Sequence, residues 1–460
     1  MAGLYEKEAK NYFSDGWKAR DGYIELILDR SAGSRKGFFK KYAKHSFSLE
    51  EEIRAMKLLE MERFAMLTET SCGWFFNDLS GIETVQILRY AARALELAKE
   101  FGGADVEKEF LEHLRRAKSN RPEIGEGAAL WEKEVASSRV SPEKIVGHFA
   151  FRQFFELPVS TENFYGYEIK EEERETETSG DMALAMGSVV LTGKIIPESQ
   201  KFVYAFFRKG VSGIQCFVKE QSDSHELQKL NVAPLADLRK RNAPLLAQHL
   251  SESFGSSPVL LRDLFPEERD EILRALSLQM RDDYYEAAIH FYKENKPWAE
   301  LFHEAGRPVP DEFRSLVEWM MGERLLDWAR KLVNGTSLEE SVKGAKSVLE
   351  EAQAGKFSVK TEPAIQFLSV QLNTWMEELF RGSDGGLLGK INQVFHFAKE
   401  VQIGLHDRVA QELFFVFAQK ILPEWMENSS KFNEIQAILR LGVQLGFNME
   451  RYENQLKAKT

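Results

Sequence analysis

Apolar residues recur at helical spacing along most of this chain, and the period changes to that of a strand in one stretch, Glu162 to Glu220. That switch limits the fold to helices surrounding a small sheet. Tyr165, Tyr167 and Ile169 alternate with Gly166, Glu168 and Lys170, and further strands are predicted near 183–196, 201–208 and 213–219. Lys201 to Arg208 is apolar on both faces, so it is predicted to be central in the sheet. Before the switch, helices are signalled by their starts. Ser48 with Glu51, and Ser80 with Glu83, have the spacing of capping boxes, in which hydroxyl and carboxylate each satisfy an orphan backbone N–H. The first of these helices is expected to run to about Thr68. The second carries the stripe Val85, Leu88, Ala92 and Leu95, with Gly102 as its stop. Trp17 to Leu28 reads as another, with Trp17, Ile24, Ile27 and Leu28 near one face. Pro142 opens a helix leading to Phe154. After Asp223 helical periodicity returns, with a third box at Ser337 and Glu340 and loops at Gly306–Pro310, Gly355–Lys360 and Arg381–Gly389.

The expected fold is therefore mainly α: a helical bundle over 1–155, an inserted antiparallel sheet over 156–222, and a helical domain over 223–460. A chain of 460 residues exceeds what one core usually serves. Its net charge of −11 argues against nonspecific binding to nucleic acid or to an anionic membrane. No run approaches about 20 apolar residues, and Met1 to Lys10 has no apolar signal segment. Cys72 and Cys216 are too few for a disulfide framework, and reduced thiols suit the cytoplasm. No cofactor is implied.

Several patterns that suggest chemistry have plainer explanations. RGSDGGLLGK (Arg381–Lys390) has Asp384 where a phosphate-binding loop needs Gly, and Ile391 where it needs Ser or Thr. Glu286, His290 and Glu294 share a helical face and could ligate a metal, but a solvated face with i,i+4 pairing explains them better, and no metal is assigned. Asp21, Glu25 and Asp29 read as an exposed acidic stripe. Cys72 is expected to be a buried thiol rather than a nucleophile, and Cys216 to lie in the core.

Residues 70–81, TSCGWFFNDLSG, are not plain. Trp74, Phe75 and Phe76 are consecutive, so at least one must point away from the local core. Ser71, Cys72 and Gly73 permit close approach of other groups, and Asn77, Asp78 and Ser80 offer polar contacts. An aromatic ring beside amides and carboxylates suits a sugar, whose apolar face stacks while its hydroxyls bond. A helix–loop–helix corner plugged by aromatics is the alternative.

Two runs, GWKARDGYIELILDRS (Gly16–Ser31) and TSCGWFFNDLSGIETVQILRYAARALELA (Thr70–Ala98), resemble bacterial proteins related to glycoside hydrolase family fifty-seven, the α-amylase/α-mannosidase-like proteins. The resembling part is their C-terminal half, a domain of unknown function. The resemblance implies that the catalytic Glu and Asp belong to an N-terminal (β/α)₇ barrel, and that no residue of this sequence takes their place. It also implies that Ser71, Trp74, Phe75 and Phe76 correspond to a Ser-Asp-Trp-aromatic motif brought to the sugar cleft, although Cys72 and Gly73 replace the acidic residue. Asn77 and Asp78 adjoin that motif; Trp17 and Arg20 lie in the other run. The expected role is accessory: shaping a sugar cleft whose acids a barrel supplies, with that barrel and an oligosaccharide as partners. The rival is a stand-alone interaction protein that has lost the barrel. A third possibility is an independent enzyme with its site in a pocket between sheet and helices. If a barrel docks, the surface around 17–28 and 70–80 should be exposed and apolar.

Overall fold

The computed structural model describes residues 1–136, 138–210, 213–223, 226–255, 257–381, 386–427 and 432–457. It divides into two compact units, Met1–Leu276 and Ser277–Thr460. Among the described residues no helix is long and apolar enough to cross a membrane.

The first unit opens with helices α1 (Ala2–Tyr12), α2 (Gly16–Gly22), α3 (Ile24–Leu28), α4 (Ala32–Tyr42) and α5 (Leu49–Leu67). The capping box that starts α5 is complete: Ser48 Oγ accepts from Glu51 N at 3.3 Å, and the Glu51 carboxylate accepts from Ser48 N at 2.9 Å. The helix expected over 17–28 is broken at Tyr23, and its buried face is not the expected one. Ile24 and Leu28 are exposed, whereas Ala19, Tyr23 and Leu26 turn inward. The cause is Glu60, buried on α5, which accepts from the Tyr23 hydroxyl at 2.5 Å and so decides which face points in. Arg30 and Arg63 neutralise that carboxylate, each at 2.9 Å.

A one-turn helix, α6 (Cys72–Phe75), precedes α7 (Ile82–Lys99). The start of α7 departs from expectation. Gly81 is its N-cap and makes no side-chain cap bond. Ser80 is held instead by Asp78, to which its hydroxyl donates at 2.6 Å and its backbone N–H at 2.8 Å. The predicted stripe Val85, Leu88, Ala92 and Leu95 is buried against Leu130, Trp131 and Val135. Then follow α8 (Ala104–Leu114), α9 (Gly127–Leu130), a π-helical stretch Trp131–Ala136, and α10 (Pro142–Phe154), which Ser141 caps.

Four antiparallel strands form one sheet in the order β1 (Tyr167–Ser179), β2 (Met182–Gly193), β3 (Ser199–Lys209), β4 (Gly213–Glu220). β2 and β3 are central and apolar on both faces because each face is covered. Phe202, Tyr204 and Phe206 pack with α10, while Val203, Ala205 and Phe207 pack with α11 (Glu226–Arg239) and α12 (Ala243–Phe254). Helix, sheet and helix pair make three layers. Gly187 faces Tyr204 across β2 and β3, where a Cβ would come within 2.7 Å of that ring. β1, an edge strand, reads YEIKEEERETETS and so offers charge where an open edge would invite pairing.

Helix α13 (Pro266–Glu304) is followed in the second unit by α14 (Asp311–Val333), α15 (Leu338–Ala354), α16 (Glu362–Phe380), α17 (Gly386–Glu400), α18 (Arg408–Lys420), α19 (Leu422–Glu427), α20 (Phe432–Gln444) and α21 (Glu450–Lys457). Ser337 caps α15 by accepting from Glu340 N. The loops expected at 306–310 and 355–360 are present. Of the loop expected over 381–389, residues 382–385 lie outside the described residues, and Gly386 to Gly389 begin α17. Mainly α with one inserted sheet is the architecture.

Candidate functional site

The aromatic turn is built by its neighbours on α5 and α7. Leu67 ends α5, and the backbone turns through Thr68–Ser71 into α6. Gly73 is buried there against Ile87 of α7, whose side-chain carbons would lie 2.5–2.9 Å from a Cβ. The Gly73 carbonyl accepts from the buried Thr84 hydroxyl at 3.1 Å. With the backbone pressed onto α7, the three rings face outward. Trp74, Phe75 and Phe76 are 67%, 81% and 54% exposed. The Trp74 indole N–H donates to Thr68 O at 2.8 Å, and Phe75 meets Phe76 edge to face at 5.2 Å. Met66 and Ile82, on either side in sequence, are exposed as well.

Asp78 braces the turn. It accepts from Ser80, from the Ser119 hydroxyl at 2.9 Å and from Asn120 N at 2.7 Å, tying this turn to residues 119–120. The Ser80 hydrogen bonds, with those from Asn120 and Ser119, hold its carboxyl well below the usual carboxylate range. Asn77 contributes its carbonyl to the Asn120 amide at 2.7 Å, and its side chain is exposed. Ser71 is exposed at the start of α6. Cys72 is also exposed, contrary to the buried thiol expected, because its neighbour Gly73 takes the inward position.

Trp17 and Arg20 form a separate group. Trp17 packs on Tyr5 at 5.2 Å, with the Arg20 guanidinium 4.8 Å above its ring. The Arg20 charge acts on Glu62 of α5, whose carboxyl is pushed up by burial. Glu62 and Thr68 are six residues, or about 9 Å of helix axis, apart. Both groups are therefore arrayed along the C-terminal half of α5, with no hydrogen bond or ring contact joining them among the described residues. Ile24 and Leu28 add exposed apolar surface to the Trp17 region, and residues 74–76 add it to the other.

A cleft of about 860 Å³ lies between the helical bundle and the sheet. Lys57, Glu60 and Phe64 of α5 line one wall, and Arg89, Arg93 and Glu96 of α7 with Glu100 at its C-cap the next, each set at helical spacing. Lys194 and Glu198 come from the β2–β3 turn, Tyr165 from the turn ahead of β1, and Tyr167 from the first position of β1. Lys57 Nζ stands between two carboxylates, 2.8 Å from Glu100 and 2.8 Å from Glu198. An acid/base pair would need that interval for a glycosidic oxygen. The Lys57–Glu100–Glu198 triad ties α5 to the end of α7 and to the sheet turn. No local motif marks this cleft in the sequence: its walls come from separate segments, each contributing a few polar residues at ordinary helix or turn positions.

Other candidates are accounted for locally. Asp21 pairs with Arg20, Glu25 with Lys41 at 2.7 Å, and Asp29 accepts from Ser31 and Ser34 at the start of α4. His290 and Glu294 form an exposed i,i+4 contact at 3.3 Å. Cys216 is buried in the sheet, and burial pushes its thiol up. Among the described residues no group of three or more His, Cys, Asp and Glu is placed to hold a metal ion.

Residues 1–265 match the family described as domain of unknown function DUF3536. The chain belongs to that family. The matched DUF3536 region contains the aromatic turn, the Trp17 group, the sheet and the whole lining of the cleft. No curated protein and no solved structure matches the chain.

Proposed function

We propose that this DUF3536 protein is the non-catalytic part of a carbohydrate-active hydrolase acting on α-glucans or mannosides, shaping a sugar cleft whose two acids come from a (β/α)₇ barrel. The observation that carries the reading is the outward set of Trp74, Phe75 and Phe76 on a backbone pinned by Gly73 and Asp78. Aromatic faces open to solvent are what a sugar ring stacks on, because the ring's C–H face is apolar. The resemblance of Gly16–Ser31 and Thr70–Ala98 to proteins related to glycoside hydrolase family fifty-seven supplies the reaction class. In this role Trp74 is the stacking ring, Phe75 and Phe76 extend the ledge, and Asp78 positions it. Two free thiols fit a cytoplasmic setting.

Calorimetric titration with malto-oligosaccharides tests the reading. Trp74→Ala should weaken binding about tenfold, the loss of roughly 1.4 kcal/mol of stacking. Equal affinity in the two proteins would remove the ledge from the sugar site. The chain alone should hydrolyse neither amylose nor an aryl glycoside; turnover abolished by a single Asp or Glu substitution would overturn the accessory role. A second reading, a stand-alone interaction protein, draws on exposed Ile24, Leu28, Met66 and Ile82, which suit a protein partner as well as a barrel.

A further inference from the structure

The cleft between bundle and sheet has its charges unevenly matched. Each carboxylate lining it is already paired: Glu60 with Arg30 and Arg63, Glu96 with Arg93 at 2.8 Å, and Glu100 and Glu198 with Lys57. Two cations lining it are not. Arg89, on α7 one turn before Arg93, and Lys194, in the β2–β3 turn, have no side-chain hydrogen-bond or ion-pair partner among the described residues, and both are exposed. Over the whole lining five cations (Lys57, Arg89, Arg93, Arg139 and Lys194) meet four carboxylates (Glu60, Glu96, Glu100 and Glu198), so in a chain of net charge −11 this cleft carries a formal excess of one positive charge, and concave walls concentrate its field.

The cleft also holds a fixed ring. Tyr165 has φ of 52°, an unfavourable conformation for an aromatic residue, and is followed by Gly166 at 84°. Its hydroxyl donates to the buried Glu268, which Arg152 also holds at 2.8 Å. Phe164 and Phe265 pack against the ring, each at 4.9 Å. The ring is nevertheless 43% exposed. Its polar end is thus tied into the protein while part of its surface remains open.

We propose that this cleft is a binding site for a small anionic sugar, carrying a phosphate or a carboxylate, distinct from the aromatic ledge. Arg89 and Lys194 receive the anion, a guanidinium and an ammonium being the side chains suited to oxyanions, and Tyr165 receives the ring. A volume of about 860 Å³ suits such a ligand. The requirement for an anion follows from the cleft's own charges; the choice of a sugar as the ring rests on the function proposed above.

The test is titration of the full chain with glucose 6-phosphate, glucuronate, glucose and inorganic phosphate. The phosphate or the uronate should bind at least tenfold more tightly than glucose, and rising salt should weaken it. Arg89→Ala and Lys194→Ala, both at exposed positions that leave the packing intact, should each weaken it about tenfold. Tyr165→Ala should weaken the anionic sugar while leaving inorganic phosphate unchanged. Trp74→Ala should leave all four titrations unchanged, so the ledge and the cleft fail or stand separately. Glucose binding as tightly as its phosphate, no binding of either anionic sugar, or indifference to both Arg89→Ala and Lys194→Ala would overturn the proposal.

Discussion

Two short stretches of this protein are crowded with aromatic residues, and they are treated in opposite ways. In β3, Phe202, Tyr204, Phe206 and Phe207 are each at most 4% exposed; in the turn after α5, Trp74, Phe75 and Phe76 are all more than half exposed. The difference lies in what covers them. Adjacent strand residues point to opposite faces, so burying Phe206 and Phe207 together takes a layer on each side, supplied by α10 and by α11 with α12. The aromatic turn rests on α7 with no second layer over its rings, which are exposed, and the inward position goes to Gly73. Similar residue types therefore make a core in one place and an open surface in the other. Local composition does not decide between the two outcomes; the number of covering layers does.

The sharpest way to break that comparison is to truncate one ring from each stretch. Phe206→Ala removes a ring packed 4.2 Å from Phe154 and 4.9 Å from Phe151, and should destabilise the first unit by about 3–5 kcal/mol. Trp74→Ala should change stability by less than about 1 kcal/mol, since the indole gives up little more than one exposed hydrogen bond. Urea denaturation of both variants measures this. Comparable losses would mean that the turn is core after all, and the contrast would fail.

A smaller effect sharpens the role of the backbone under the ledge. Gly73→Ala places a methyl group against Ile87 and should cost about 1–3 kcal/mol, with the rings displaced. Adding Ile87→Val should recover part of that cost, because the two sites touch and their effects should not add. Strict additivity would show that Ile87 does not set the height of the turn.

What the sequence discloses follows the same division. Features settled within a few residues were legible: the Ser48–Glu51 box, Pro142 at a helix start, the continuous apolar run that gives β3 its two buried faces, and the conflict among three consecutive aromatics. Features settled by distant partners were not. The buried face of residues 17–28 depends on Glu60, and the start of α7 depends on Asp78 capturing Ser80. Exposure of Cys72 follows from Gly73 meeting Ile87. The cleft was foreseen only as a place between sheet and helices. Arg89 and Lys194 look like any surface cations until it is known that the carboxylates beside them are already paired.

The smallest expected effect concerns the brace that keeps the ledge in position. Asp78 is exposed enough for solvent to screen its bonds, so its contribution is modest beside that of a buried ring. Its sign is nevertheless fixed. Ser80, Asn120 and Ser119 donate to the ionised form and lower its folded pKa below the unfolded value of about 3.9. The stabilisation is therefore complete above that unfolded value and is lost as pH falls toward the folded one. Asp78→Asn resembles the protonated side chain and lacks the charge at every pH. Urea midpoints for wild type and Asp78→Asn should differ at pH 6 and converge as the pH drops below about 4. A difference that stays constant through that range would mean the Asp78 charge is not what ties the aromatic turn to residues 119–120. The rings would then owe their position to Gly73 and the Trp74–Thr68 bond alone.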